Sequence, residues 1–236
     1  MSIPEGQLAT WANAAPITGA SATYNEVKGT LLAMPIPSSS YDVYLQGSYG
    51  CTTNVRGDSD VDLVAQYNLT MTHEGPTTDT FTAASYLWED FQRDVILTLR
   101  SRFGSSTVVP GKKCVRVLKG ATPLQADILV ALQHRHYFAG TQLQEGVSFC
   151  TVPDKRFVVN WPKQHRLNAE KKHGATNEWF KPAARMFKNA RSYLIEHREI
   201  PDESPSYFVQ CLIFNASNAA FGTNFQDTSR ARCSRC

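Results

Sequence analysis

The sequence predicts an α/β lobe followed by a helical lobe, and three observations support that reading. Short apolar strand-like runs alternate with helical stretches through the first 160 residues. From Trp161 onward the apolar period becomes helical. Between these, residues 46–64 join a Gly-Ser turn to a strand that carries Asp60 and Asp62. The expected division is an α/β lobe with an N-terminal helix over 1–160, a helical lobe over 161–221 and an irregular tail over 222–236.

Taken in order, residues 6–33 read as a weakly amphipathic helix, broken by Pro16 and Gly19 and ended by Pro35 and Pro37. Strands follow at about 41–46 and 60–67. The polar, turn-rich stretch 68–80 reads as a surface loop. Over 82–103 the residues Tyr86, Leu87, Phe91, Val95, Leu99 and Phe103 recur at helical spacing and mark one buried face. Residues 112–118 and 125–132 are strand-like, and 156–159 form a further short strand. Helices are expected over 177–198 and 206–216, and no internal repeat is visible.

Composition sets limits. The chain has 236 residues, enough to bury a sizeable core, with 42% apolar and 19% charged residues, as in an ordinary globular protein. A net charge of +3 suits a small anionic substrate but does not call for long nucleic acid, which needs clustered basic faces. The first residues lack the basic and apolar regions of a signal peptide, and no apolar run reaches the roughly 18–20 residues of a membrane span. The six cysteines (51, 114, 150, 211, 233, 236) read as free thiols in a reducing cytoplasm.

The chemistry concentrates in residues 46–64. Side chains two apart on a strand share a face, so Asp60 and Asp62 stand side by side while Val61 and Leu63 point to the core. Gly47 and Ser48 open a helical turn whose N–H groups and hydroxyl favour anions. Magnesium is hard, takes oxygen ligands and is typically held by one or two carboxylates plus substrate phosphates. Two such ions can stabilise the attacking and leaving oxygens of an in-line displacement. A third carboxylate on a neighbouring strand is then expected. Asp127, the charged residue in the apolar run 123–132, supplies it. The alternative for Asp127 is a salt bridge to an Arg or Lys elsewhere, because a lone buried carboxylate is costly.

Gly47-Ser48, the run Thr53-Asn-Val-Arg-Gly-Asp-Ser-Asp-Val-Asp62 and the single strand Asp127 resemble the DNA polymerase β-like nucleotidyltransferases. More narrowly, the chain resembles the bacterial cGAS/DncV-like nucleotidyltransferases, which make cyclic oligonucleotide signals in anti-phage defence. Two stretches carry the narrower resemblance: Trp161-Pro-Lys-Gln-His165 through Asn168, Thr176 and Lys181 to Arg185-Met-Phe-Lys188, and Pro205-Ser-Tyr-Phe-Val-Gln-Cys-Leu-Ile-Phe-Asn215. It runs from about residue 25 to 221.

The resemblance implies a polymerase β-like core and a helical lobe with the active site in the cleft between them. Asp60, Asp62 and Asp127 would be both catalytic and metal-binding, with two Mg2+ ions for which Mn2+ can substitute. Asp127 would orient, or deprotonate, the acceptor ribose hydroxyl that attacks the α-phosphorus of an NTP such as ATP. The implied product is a cyclic di- or trinucleotide read by a downstream effector, with a regulatory protein as a further partner. Lys188 would touch the donor triphosphate, Ser206 would sit near the phosphates and Tyr207 would stack on a base. A solvated helix lysine and a core tyrosine are the plain alternatives for Lys188 and Tyr207.

Other acceptors (a tRNA end, a protein, a small molecule), a linear oligoadenylate product and a catalytically silent nucleotide- or RNA-binding module are the alternative functions. Arg56-Gly-Asp58 belongs to the motif, not to adhesion. His134 and His136 are expected at exposed strand positions rather than at a metal. Lys171-Lys172-His173 reads as a solvated face or the lining of a nucleotide entrance, and Cys233/Cys236 have metal-knuckle spacing without a second pair. Family members continue for several more helices, whereas the sequence from Gly222 shows no helical period, as in a truncated or divergent short form.

Overall fold

The computed structural model describes residues 3–57, 60–80, 82–138, 142–200 and 205–230. In chain order the elements are α1 (Glu5–Ala12), α2 (Thr18–Leu31), β1 (Tyr41–Leu45), α3 (Gly47–Gly50), β2 (Asp60–Glu74), α4 (Trp88–Phe103), β3 (Val108–Pro110), β4 (Val115–Val117), β5 (Gln125–Tyr137), β6 (Leu143–Cys150), β7 (Phe157–Asn160), α5 (Pro162–Ala175), α6 (Phe180–Glu196), α7 (Ser206–Asn215) and α8 (Phe225–Arg230). They form two compact units. One holds Ile17–Gly47 and Ser59–Gln164, the other Met1–Pro16, Ser48–Asp58 and His165–Cys236. The helical unit is therefore not contiguous: it takes two pieces from the stretch 1–160 that reads as a single lobe.

The sheet unit is built on β2 and β5, which run parallel from Asp60↔Gln125 to Glu74↔His136. β1 pairs antiparallel with β2. Along its other edge β5 meets β4 at residues 126–128 and β6 at residues 132–137, so β5 is flanked on both sides. Its interior is accordingly a continuous apolar run, Ala126 and Ile128–Leu132, all buried. Helices α2 and α4 pack against each other and the sheet. They contribute Val27, Leu31, Phe91, Val95 and Leu99, each fully buried. Full burial of a side chain of this size is worth about 1.5–3 kcal/mol relative to leaving it exposed.

Several boundaries differ from the sequence reading for identifiable reasons. Strand β2 continues through Glu74 where a loop is expected, because β5 extends to Tyr137 and pairs with Met71–Glu74 beyond a register shift. Tertiary pairing overrides the turn-like composition. Helix α4 starts at Trp88: Leu87 is the N-cap, half exposed, and its N–H donates to the Asp90 carboxylate at 3.0 Å. His134 is 1% exposed, not a surface residue, because Phe157 and Trp161 present their rings to it. Its Nδ1 pairs with the Thr72 hydroxyl at 2.8 Å.

In the helical unit Leu8 and Ala12 of α1 pack with Met186 of α6, joined by Trp11, Phe187 and Phe225. Cys51, Ala169 and Phe180 form a second cluster with Ile213 and Phe221. The expected irregular tail holds helix α8, whose Phe225 and Gln226 N–H groups both donate to the Glu5 carboxylate at 2.8 Å. A carboxylate there satisfies N-terminal amides that the short helix cannot. Lys172 is not a solvated residue: its Nζ reaches the Ala216 carbonyl at 2.6 Å and Asn218 Oδ1 at 2.7 Å. Cys233 and Cys236 lie outside the described residues. Cys51, Cys114, Cys150 and Cys211 are free thiols. Among the described residues no helix is long and apolar enough to cross a membrane.

Candidate active site

The carboxylates sit where the strand pattern puts them. Val61 and Leu63 are fully buried while Asp60 and Asp62 are half exposed, so alternation along the start of β2 sends both acids to one face. In the parallel register Asp62 stands beside Asp127 and Asp60 beside Gln125. Paired residues share a face, which brings the acids of β2 and β5 to one patch of the sheet. On the far side of β5, Arg116 of β4 stands opposite Asp127.

Gly47 borders this face in a conformation that strains any residue with a Cβ. Its φ is +62°, in the left-handed region, and a Cβ built there would stand 2.2 Å from Asp62 Oδ2. The backbone and the carboxylate are packed together, with Gln46 N–H donating to the Asp62 carbonyl at 2.9 Å. A glycine fits this approach without strain or displacement of the Asp62 carboxylate.

Asp127 is held by two donors. Cys114 Sγ lies 3.4 Å from its Oδ2, and Gln125 Nε2 lies 3.2 Å from its Oδ1. Burial pushes the Asp127 carboxyl above its ordinary range, and the Asp60 charge adds to this, against the opposing pull of Cys114, Arg116 and Gln125. Burial and the Asp127 charge push the Cys114 thiol up to about 12.

As the side chains stand, no three His, Cys, Asp or Glu groups among the described residues are gathered closely enough to hold a metal ion. The donor set nevertheless fits a hard divalent cation. It is all carboxylate oxygen, its mutual repulsion is registered at Asp127, and the Gly47 cradle leaves backbone rather than a side chain beside Asp62. Asp60, Asp62 and Asp127 are the residues that would hold it.

The remaining residues named from the sequence lie in the helical unit, apart from Gly47. Lys188 is 3% exposed, not a solvated lysine. Its Nζ donates to the Thr53 carbonyl at 3.1 Å and to Thr53 Oγ1 at 3.2 Å. Arg185 reaches the same segment, with Nη1 on the Thr52 carbonyl at 2.8 Å and Nε on the Ala12 carbonyl at 2.7 Å. Ser48 accepts the Thr53 N–H at 2.9 Å. Ser206 is half exposed at the start of α7, and Tyr207 is 57% exposed, not in the core, with its ring edge-on to His165 at 5.0 Å.

Sequence reasoning missed the network that ties these together. Thr53 Oγ1 donates to Gln210 Oε1 at 2.7 Å, Gln210 Nε2 meets His165 Nε2 at 3.1 Å, and His165 Nδ1 faces Cys51 Sγ at 3.8 Å. Gln210 is buried one turn along α7 from Tyr207, the sole positional hint the sequence offers. Burial lowers the His165 pKa, and the Lys188 charge lowers it further, so the ring is held neutral.

Comparison with known proteins bears on the family of the whole chain. The family model for the cGAS/DncV-like nucleotidyltransferase C-terminal helical domain matches residues 167–236, so the tail from Gly222, which shows no helical period in sequence, lies inside the match. The chain is 41% identical to the cyclic UMP-AMP synthase of Rhodothermus marinus, over 97% of this chain and 81% of that one. It is 31% identical to the cyclic nucleotide synthase CdnE01 of Staphylococcus haemolyticus, over 94% of this chain and 79% of that one. The solved structure of Rhodothermus marinus CdnE c-UMP-AMP synthase with Apcpp and Upnpp superposes with a TM-score of 0.89 at 39% identity, covering 96% of this chain and 80% of that one.

A mixed sheet with flanking helices, joined to such a helical domain and similar over most of its length to named cyclic nucleotide synthases, is that of a nucleotidyltransferase. Within that class, the chain belongs to the cGAS/DncV-like nucleotidyltransferase family.

Proposed function

We propose that this protein joins two nucleoside triphosphates into a cyclic dinucleotide signal for anti-phage defence, releasing pyrophosphate. The observation that carries the reading is the register of β2 and β5, which sets Asp127 beside Asp62 on the face that also bears Asp60. The acceptor ribose hydroxyl attacks the α-phosphorus in line, a P–O bond forms as the bond to pyrophosphate breaks, and Asp127 orients the hydroxyl and takes its proton. A second such attack, by the ribose hydroxyl of the other nucleotide on the remaining triphosphate, closes the ring and releases a second pyrophosphate. When bound at Asp60, Asp62 and Asp127, two Mg2+ ions, or Mn2+, supply positive charge against the triphosphate and the developing charge at phosphorus. Holding both reactants in line supplies much of the rate.

Gly47 and Ser48, Lys188, Ser206 and Tyr207 are the nucleotide-binding residues of the same proposal. Exposure of the Tyr207 ring supports base stacking, worth about 1–3 kcal/mol. Lys188 supplies charge behind the segment that carries Ser48 and Thr53. A downstream effector that reads the product and a regulatory protein partner complete the proposal, with the enzyme acting in the cytoplasm.

The test is a reaction of the purified protein with labelled NTPs and Mg2+ or Mn2+, then phosphatase treatment and mass spectrometry. ATP with UTP is the first pair to try, given the similarity to a cyclic UMP-AMP synthase. A phosphatase-resistant cyclic species that disappears in Asp60→Ala supports the reading. Transfer to a tRNA end, a protein or a small molecule, with no nucleotide product, would replace it.

A further inference from the structure

We propose that Cys114 and Gln125 are positioning residues for Asp127: they hold its two carboxylate oxygens, one each, and so fix the direction from which Asp127 meets the acceptor hydroxyl. The proposal rests on the reading of Asp127 as catalytic.

The terminal torsion of an aspartate is broad, so a carboxylate on a strand swings unless both oxygens are restrained. Here Gln125 reaches one oxygen along β5 from two residues away, at 3.2 Å, and Cys114 reaches the other across the sheet, at 3.4 Å. Both donors are themselves fixed. Gln125 is locked in register beside Asp60. Cys114 closes the tight turn between β3 and β4, where Gly111 N–H donates to the Cys114 carbonyl at 2.8 Å and Pro110 pairs with Val115. A Cβ on Gly111 would stand 3.1 Å from that carbonyl, so the turn is close-fitting. An orientation error of an ångström at a reacting group can cost about a hundredfold, which gives such restraints catalytic weight.

The experiment compares Cys114→Ala, Cys114→Ser, Cys114→Val and Gln125→Ala with Asp127→Asn in the full chain. It measures kcat and KM separately, melting temperature, and Mn2+ binding by calorimetry. Expected for Cys114→Ala and Gln125→Ala is a kcat lowered on the order of tenfold, with KM and melting temperature held and weaker Mn2+ binding. Cys114→Ser, which keeps a donor, recovers kcat to within about threefold of the parent, whereas Cys114→Val, which fills the space without donating, does not. Unchanged kcat in Cys114→Ala and Gln125→Ala alongside an inactive Asp127→Asn overturns the positioning role. So does recovery by valine equal to that by serine, which would mark Cys114 as packing. Activity retained in Asp127→Asn overturns instead the catalytic reading beneath it.

Discussion

The carboxylate face and the Thr53 network are assembled over very different distances along the chain. Asp60 and Asp62 are two residues apart, and one strand register adds Asp127, so a local pattern and one parallel pairing complete the patch. The network joins Cys51 and Thr53, His165, Lys188 and Gln210, and its Thr53–Gln210 link spans 157 positions. The first is half-buried and crowds like charges onto one face, with Asp127 held by Cys114 and Gln125. The second is largely buried and pairs its donors with acceptors. The difference is that one patch crowds charge of one sign from two neighbouring strands, while the other ties together segments far apart in sequence.

Breaking each side separately is the clearest way to sharpen that contrast. Asp60→Ala or Asp62→Ala is expected to cut product formation on the order of a thousandfold or more without lowering the melting temperature, measured by mass spectrometry and calorimetry. Gly47→Ala is the next largest. With φ at +62° and a Cβ 2.2 Å from Asp62 Oδ2, it should lose about 1–2 kcal/mol of stability and on the order of a hundredfold in kcat. If activity survives, the carboxylate is free to move away and the close approach has no catalytic meaning.

Gln210→Leu should show the reverse profile. It removes partners from Thr53 and His165 and is expected to cost about 1–3 kcal/mol in denaturant unfolding, while Mn2+ binding at the carboxylates is retained. The smallest effect is with pH. Burial, with the Lys188 charge, holds the folded His165 pKa below its ordinary 6.5. The unfolded chain therefore binds the proton first on acidification. Stability from this group is fully present above about pH 6.5 and is lost as pH falls below it, at no more than about 1.4 kcal/mol per pH unit. His134 and His173, also lowered by burial, act in the same direction. Melting curves from pH 5 to 7.5 should flatten, without losing their slope altogether, in His165→Gln.

The same contrast explains what the sequence made legible. Alternation around Val61 and Leu63 located Asp60 and Asp62, and a charged residue in an apolar run located Asp127, because strand periodicity is local. The extension of β2 to Glu74 was not legible. Met71–Glu74 is polar, and only the partner strand makes it a strand. The inward turn of Lys188 was hidden for the same reason. Its acceptor, Thr53, belongs to a segment that sequence reasoning had given wholly to the motif and to the α/β lobe. Cys114 looked like any scattered thiol, since nothing nearby in sequence announces that a hairpin turn carries it to Asp127.

The discontinuous make-up of the helical unit bears on how the chain is made. Helix α1 leaves the ribosome ahead of α6 and α8, yet Glu5 caps α8 and Leu8 packs on Met186, so its partners are some 180–220 residues behind it. At about 5–20 residues per second, translation leaves α1 waiting roughly ten to forty seconds for them. The sheet unit, closed by residue 164, can assemble in that interval. The strands bearing the acids are thus available to fold before the helical unit has all its pieces, and α1 is made long before the helices it packs against.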